Sequence, residues 1–328
     1  EITQWKEFVR TNPATDEDWK YIKDTVSPLL GRAENELTKG RRFFAFHILA
    51  LIRPNLAAAK FVADHPAETK QFALFEKEWT NLGKDLSPVL EGKERLDLNG
   101  YPAAVRAIAE ASYSEIKTYY DASIEYGKAT EATYGMFYLG SALGQYSFIQ
   151  LCKTLKATDT YKPIEIGNFE TEIGSFEDVV LAAYKPPVSI DQHPIFIRVS
   201  AMIKQAHELY DAGLYNGALY RYLEARYRYF RALEPGQAIN AEQAATRAQE
   251  FEKHFNENAA DNSIGRLFLE MGLSEAEDTS ANSQGGTNAR VIFDDVLPHY
   301  VSTIAPAKPK PQVVTPVATV TLVRWPYT

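Results

Sequence analysis

From Arg198 to Leu233 the chain reads RVSAMIKQAHELYDAGLYNGALYRYLEARYRYFRAL. Its small and apolar positions return at helical spacing: Ala206 and Leu209 precede Gly213, and Tyr215, Ala218, Tyr222 and Ala225 follow it. That pattern predicts two helices folded back on each other, with the turn at Asp211-Ala212-Gly213. Alanine at 206, 218 and 225 removes bulk where two backbones must approach to about 8–10 Å, leaving Tyr215 and Tyr222 to fill the groove. Gly213 supplies a helix end, and Pro235-Gly236 stops the second helix.

Upstream, Thr15 and Asp18 form a capping pair for a helix from Asp16 to about Leu30, with Trp19, Ile22, Val26 and Leu30 on one face and a kink or stop at Pro28. Ala33, Gly40, Ala45, Leu49 and Ile52 then keep the intervals of Ala206, Gly213, Ala218, Tyr222 and Ala225, and Pro54 ends that pair. The run Phe43–Ile52 is apolar all round, which predicts a central helix. Helical periodicity continues over Asn55–Asp64 and Pro66–Leu82, the latter opening at Pro66 with Phe72, Phe75 and Trp79 on one side. It resumes from Pro102 to about Leu155, interrupted near Gly127, where Tyr120, Gly127, Ala132, Met136 and Leu139 repeat the marked positions. Gly40, Gly127 and Gly213 lie 87 and 86 residues apart, about twice a helical hairpin. Gly140, Ala142 and Gly144 predict a close helix crossing.

Prolines and glycines make 158–194 an irregular connection with one short helix near Phe176–Tyr184; its acidic residues read as a solvated loop. Helices follow at about Ala241–Asn256, Ser263–Met271 and Arg290–Ile304, around an exposed polar loop at Ser274–Asn288. The tail has a Pro-Lys spacer and then an alternating strand, with Val317, Thr319, Thr321, Val323 and Trp325 on one side. A lone strand must pair with something, either its own domain or another subunit.

The order small, large, turn glycine, aromatic, small, aromatic, small over residues 200–233 resembles the tetratricopeptide repeat, a helix-turn-helix unit of about 34 residues that stacks into scaffolds. The resemblance implies an all-α fold of helical hairpins in a solenoid-like stack, and binding in place of chemistry. The organisation expected is an N-terminal helical region (1–157), the connection (158–194), a repeat-like region (195–304) and the tail (305–328). In such repeats the first helix lines the concave face, which places partner contacts at Ile203, His207, Tyr210 and Asp211, joined by the strand face of the tail. The basic and asparagine residues with which some members grip a peptide carboxylate are absent at Ile203 and His207.

A net charge of −8 argues against nucleic acid, whose phosphates demand a basic face. No uninterrupted apolar run reaches the roughly 18 residues of a membrane span. A single cysteine, Cys152, excludes an internal disulfide and reads as a buried thiol. The histidines show no zinc spacing, no nucleophile elbow is present, and His47 reads as a core histidine. Tyr220, Arg221, Tyr227, Arg228 and Arg231 have the chemistry to clamp a polymer, but Glu224, three and four residues from Arg221 and Arg228, predicts ordinary helix-surface ion pairs. These features predict a non-enzymatic scaffold or assembly subunit without metal or cofactor, with protein partners (itself or another subunit) in an oligomer. Scarce cysteine among many Tyr, Asn, Thr and Gln favours an exported protein over a cytoplasmic one, and the opening Glu1 fits either a leader removed during export or a trimmed tag. The alternative is a small-molecule or glycan binder with an aromatic-lined pocket near Tyr134, Tyr138 or Tyr210.

Overall fold

A computed structural model describes residues 2–11, 20–92, 96, 98, 100–129, 132–154, 164–257, 261–278 and 284–304, and every regular element among them is helical. The predicted cap at Thr15 and the tail, including Val317, Thr319, Thr321, Val323 and Trp325, lie outside the described residues. The helices are α1 (Ile2–Thr11), α2 (Ser27–Thr38), α3 (Arg42–Asp64), α4 (Phe72–Leu90), α5 (Ala103–Ala129), α6 (Ala132–Thr154), α7 (Phe169–Ala183), α8 (His193–Asp211), α9 (Tyr215–Leu233), α10 (Ala241–Glu257), α11 (Ser263–Ala276), α12 (Gly285–Val291) and α13 (Leu297–Ile304).

The α8–α9 hairpin turns at Gly213, whose φ is +76°. Ala206, Ala218, Ala225 and Tyr222 are fully buried. Tyr215 does not fill the groove: half of it is exposed, and its ring meets Tyr210 edge-on at 5.3 Å. Gly40 repeats the turn geometry at φ +80°. Gly127 does not, because it lies inside α5, which runs on to Ala129. A Cβ on Gly127 would stand 2.5 Å from the Phe75 ring, so this glycine serves a close contact and not a turn.

Prolines interrupt less than their sequence positions predict. α2 continues past Pro28, which follows a π-helical turn at Ile22–Val26, a place where the normal hydrogen-bond ladder is already altered. α3 runs through the buried Pro54, whose backbone lies close to α6 opposite Gly144; a Cβ on Gly144 would come within 3.1 Å of the Pro54 Cα. The residues from Pro66 to Lys70 form turns, and α4 starts only at Phe72. α7 is longer than the short helix expected, because Phe169, Ile173, Phe176 and Val180 make one buried stripe that carries the helix through Gly174. In the polar stretch 274–288, the ends of α11 and α12 cover its two flanks.

α6 crosses α3 almost backbone to backbone, since a Cβ on Gly140 would lie 2.7 Å from the Ala58 Cα. α3 is long and apolar enough, by length and composition, to cross a membrane, although Arg53 and Lys60 break it into shorter apolar runs; 56% of its most apolar window is buried inside the fold. One apolar cluster joins Ala50 of α3, Ala107 of α5, Phe176 of α7, Tyr222 of α9 and Tyr300 of α13.

Carboxylates from distant parts of the chain cap three helix starts. Glu270 of α11 accepts from Phe44 N–H of α3 at 2.9 Å, Asp261 accepts from Ala103 N–H of α5 at 2.5 Å, and Glu110 of α5 accepts from Gly217 N–H of α9 at 2.6 Å. Each supplies the acceptor that a helix start needs. These links fix α3, α5 and α9 relative to one another.

Candidate functional site

α3, α5 and α9, with α6 and α8, enclose a cleft of about 610 Å³. α3 contributes His47, Leu51 and Pro54; α5 contributes Ser112, Glu115 and Tyr119. Gln145 comes from α6, Arg198 and Gln205 from α8, and Tyr220, Arg221, Glu224 and Arg228 from α9. The volume falls in the range of small-molecule sites, roughly 300–1,000 Å³, but the lining is more polar than such sites usually are.

The centre of the cleft is Arg221. Its guanidinium donates to Glu115 across the cleft and to Glu224 on its own helix, the latter at 2.7 Å. Glu224 also accepts from Arg228 at 2.9 Å, and Glu115 accepts from the Gln145 amide at 2.5 Å. Arg221 and Glu224 are each only 6% exposed, so these are not the helix-surface pairs that their spacing predicts. α9 is enclosed on both sides: Gly217 lets it press against α5, where an added Cβ would stand 2.7 Å from the Glu110 Cβ, and its other face enters the core.

The charges are tuned by position. Burial raises the Glu115 carboxyl above its ordinary range, with Arg221 opposing. Burial pushes Glu224 the same way, yet Arg221 and Arg228 outweigh it and hold that carboxyl below the ordinary range. The enclosed His47 falls to about 4, mainly through burial, so at neutral pH it is an uncharged imidazole 3.0 Å from the Tyr220 hydroxyl. Burial likewise raises Tyr119 and Tyr220, which keeps both as phenols.

Two buried polar atoms of these side chains meet no hydrogen-bond partner among the described residues: Nε of Arg221, a donor, and Oε1 of Gln145, an acceptor. Leaving such a group dry costs about 1–3 kcal/mol.

The sequence-predicted contact residues lie elsewhere. Ile203, His207 and Asp211 line a groove of about 440 Å³ between α7 and α8, where His207 Nε2 stands 3.2 Å from Glu177. Ile203 is buried there, and Asp211 is exposed. Tyr210 points away from that groove and stacks on Phe169 at 4.8 Å. Tyr138 stacks on Tyr126 at 4.6 Å, and neither Tyr134 nor Tyr138 lines the cleft. Cys152 is fully buried, and no three His, Cys, Asp or Glu side chains among the described residues gather as a metal site.

No protein-family model matches this chain, and no characterised protein or solved structure matches it either.

Proposed function

We propose that the cleft binds a small hydroxyl-rich molecule, such as a mono- or disaccharide, and that the protein works by binding it without chemistry. The observation that carries this reading is the unpartnered pair, Arg221 Nε and Gln145 Oε1. One needs an acceptor and the other a donor, and a hydroxyl group is both. Ser112, Gln205 and the Glu115 carboxylate add further groups of each kind, while Tyr119 and the half-exposed Tyr21 offer ring faces to the apolar side of a sugar. The neutral His47 fits an uncharged ligand better than an imidazolium would. A thermal-shift screen of mono- and disaccharides tests the reading: at least one should stabilise the wild-type chain in a saturable way and fail to stabilise Gln145→Leu. Stabilisation by none of them overturns it.

A second reading keeps the resemblance to tetratricopeptide repeats and makes the chain an exported assembly subunit. Its support is a set of exposed apolar side chains on α7, the following turn and α8: Val179, Leu181, Val188, Ile190 and Ile197, with Leu181 71% and Val188 90% exposed. Of these, Leu181 lines the groove of Ile203, His207 and Asp211, where a protein partner or the 305–328 strand of a second copy would dock. Light scattering on the whole chain, on Leu181→Glu and on a chain ending at residue 304 tests it. An oligomer that dissociates in either variant supports the reading; a monomer throughout counts against self-assembly.

A further inference from the structure

Beside the cleft, a second cavity of about 350 Å³ opens between the start of α8, the end of α9 and Gln284. Its walls divide into two kinds of surface. Pro194, Ile195, Val199 and Ala232 are apolar, and Arg198, Arg228 and Arg231 supply three guanidinium groups. Arg198 and Arg228 also line the cleft, so the two spaces meet at these side chains.

The charges here are unbalanced in a chain that is acidic overall. Glu224 answers Arg228, with Arg221 sharing the same carboxylate. Neither Arg198 nor Arg231 forms an ion pair with a carboxylate among the described residues, although acidic side chains outnumber basic ones in the sequence. Arg231 lies over the Tyr227 ring at 5.8 Å, a contact that orients a guanidinium without neutralising it. Like charges gathered around one cavity repel each other, and an anion between them relieves that repulsion.

We propose that this cavity binds a small amphipathic carboxylate, with the anionic group between Arg198 and Arg231 and an alkyl or aryl body on Pro194, Ile195 and Ala232. A guanidinium presents parallel N–H donors that match the two oxygens of a carboxylate, and two of them from different helices can grip one head group from both sides. The apolar wall then selects against inorganic anions, which have nothing to lay on it. This site is separate from the polyol reading of the cleft, because Gln145 and Glu115 do not line it.

The probes are octanoate, its neutral counterpart octanol, and inorganic phosphate, titrated calorimetrically into the whole chain. The expected result is saturable binding of octanoate that weakens with added salt, with octanol and phosphate binding at least about tenfold more weakly. Arg231→Ala and Arg198→Ala should each reduce octanoate affinity about tenfold or more. Gln145→Leu, which disables the cleft, should leave octanoate binding unchanged, so failure of either site shows separately. Equal binding of octanol, or octanoate affinity indifferent to both arginine variants, overturns the proposal. Phosphate binding as tightly as octanoate shows a general anion patch and overturns the amphipathic part.

Discussion

The Glu110 carboxylate of α5 holds the first turn of α9 from outside, accepting the Gly217 N–H at 2.6 Å and the Asn216 side-chain amide at 3.0 Å. α9 has no side-chain cap of its own. The helix that carries Arg221, Glu224 and Arg228 is therefore seated by a residue more than a hundred positions earlier in the chain. Glu110→Ala strips both bonds and leaves a buried N–H without an acceptor. It should destabilise the fold by about 1–3 kcal/mol in chemical denaturation, and Glu110→Gln, which retains an acceptor oxygen, by less. Equal losses would show that the cap is incidental.

Gly127→Ala should be destabilising for a reason that helix propensity does not contain, since alanine is the better helix former. The new methyl group would meet the buried Phe75 ring at 2.5 Å. The expected cost is about 1–3 kcal/mol, and Phe75→Leu in the same chain should recover part of it. A neutral or stabilising Gly127→Ala contradicts the packing described for α4, α5 and α6.

Gly213→Ala tests the other use of glycine. Nothing lies within 4 Å of an added Cβ there, so only the +76° φ penalises the substitution. Thermal unfolding should report a loss of about 1–2 kcal/mol, and Gly213→Asn should lose less, because asparagine tolerates the left-handed region.

Glu270 gives the stability a pH dependence. Its carboxyl is raised to about 7, chiefly by burial, against hydrogen bonds from the Phe44 and Phe43 amides and the charge of Arg41. An acid raised on folding is protonated more readily in the native state than in the unfolded one. Its contribution is thus complete below the unfolded value near 4.5 and is lost as pH rises through about 7. Denaturation profiles from pH 4.5 to 7.5 should show the wild type losing stability relative to Glu270→Gln across that window. Parallel profiles exclude the effect.

The hairpin around Gly213 was legible because small residues at Ala206, Ala218 and Ala225 leave a spacing that only close helix packing uses. The all-α class followed from similar periodicity elsewhere. Pro54 and Pro28 misled because a proline's local cost says nothing of what the helix around it packs against. Gly127 misled because one residue type serves both turns and close contacts, and spacing alone does not separate them. The cleft was half visible: Arg221, Glu224 and Arg228 stood out at helical intervals, but their burial depends on α5 and α6, which supply Glu115 and Gln145. Gly217, Ala218 and Ala225 carry the missed signal, since small residues near both faces of a helix mark it as enclosed. No local pattern connects Glu110 to Gly217 or Glu270 to Phe44, because those pairings exist only once the chain has folded.

The central claim is that the Arg221–Gln145 cleft takes a hydroxyl-rich ligand, and calorimetric titration of the best saccharide from the screen into wild type, Gln145→Leu and Tyr134→Ala tests it most directly. The account predicts that Gln145→Leu weakens binding about five- to a hundredfold while remaining helical by circular dichroism, and that Tyr134→Ala, outside the cleft, matches the wild type. Affinity equal in Gln145→Leu and wild type would place the ligand elsewhere and contradict it.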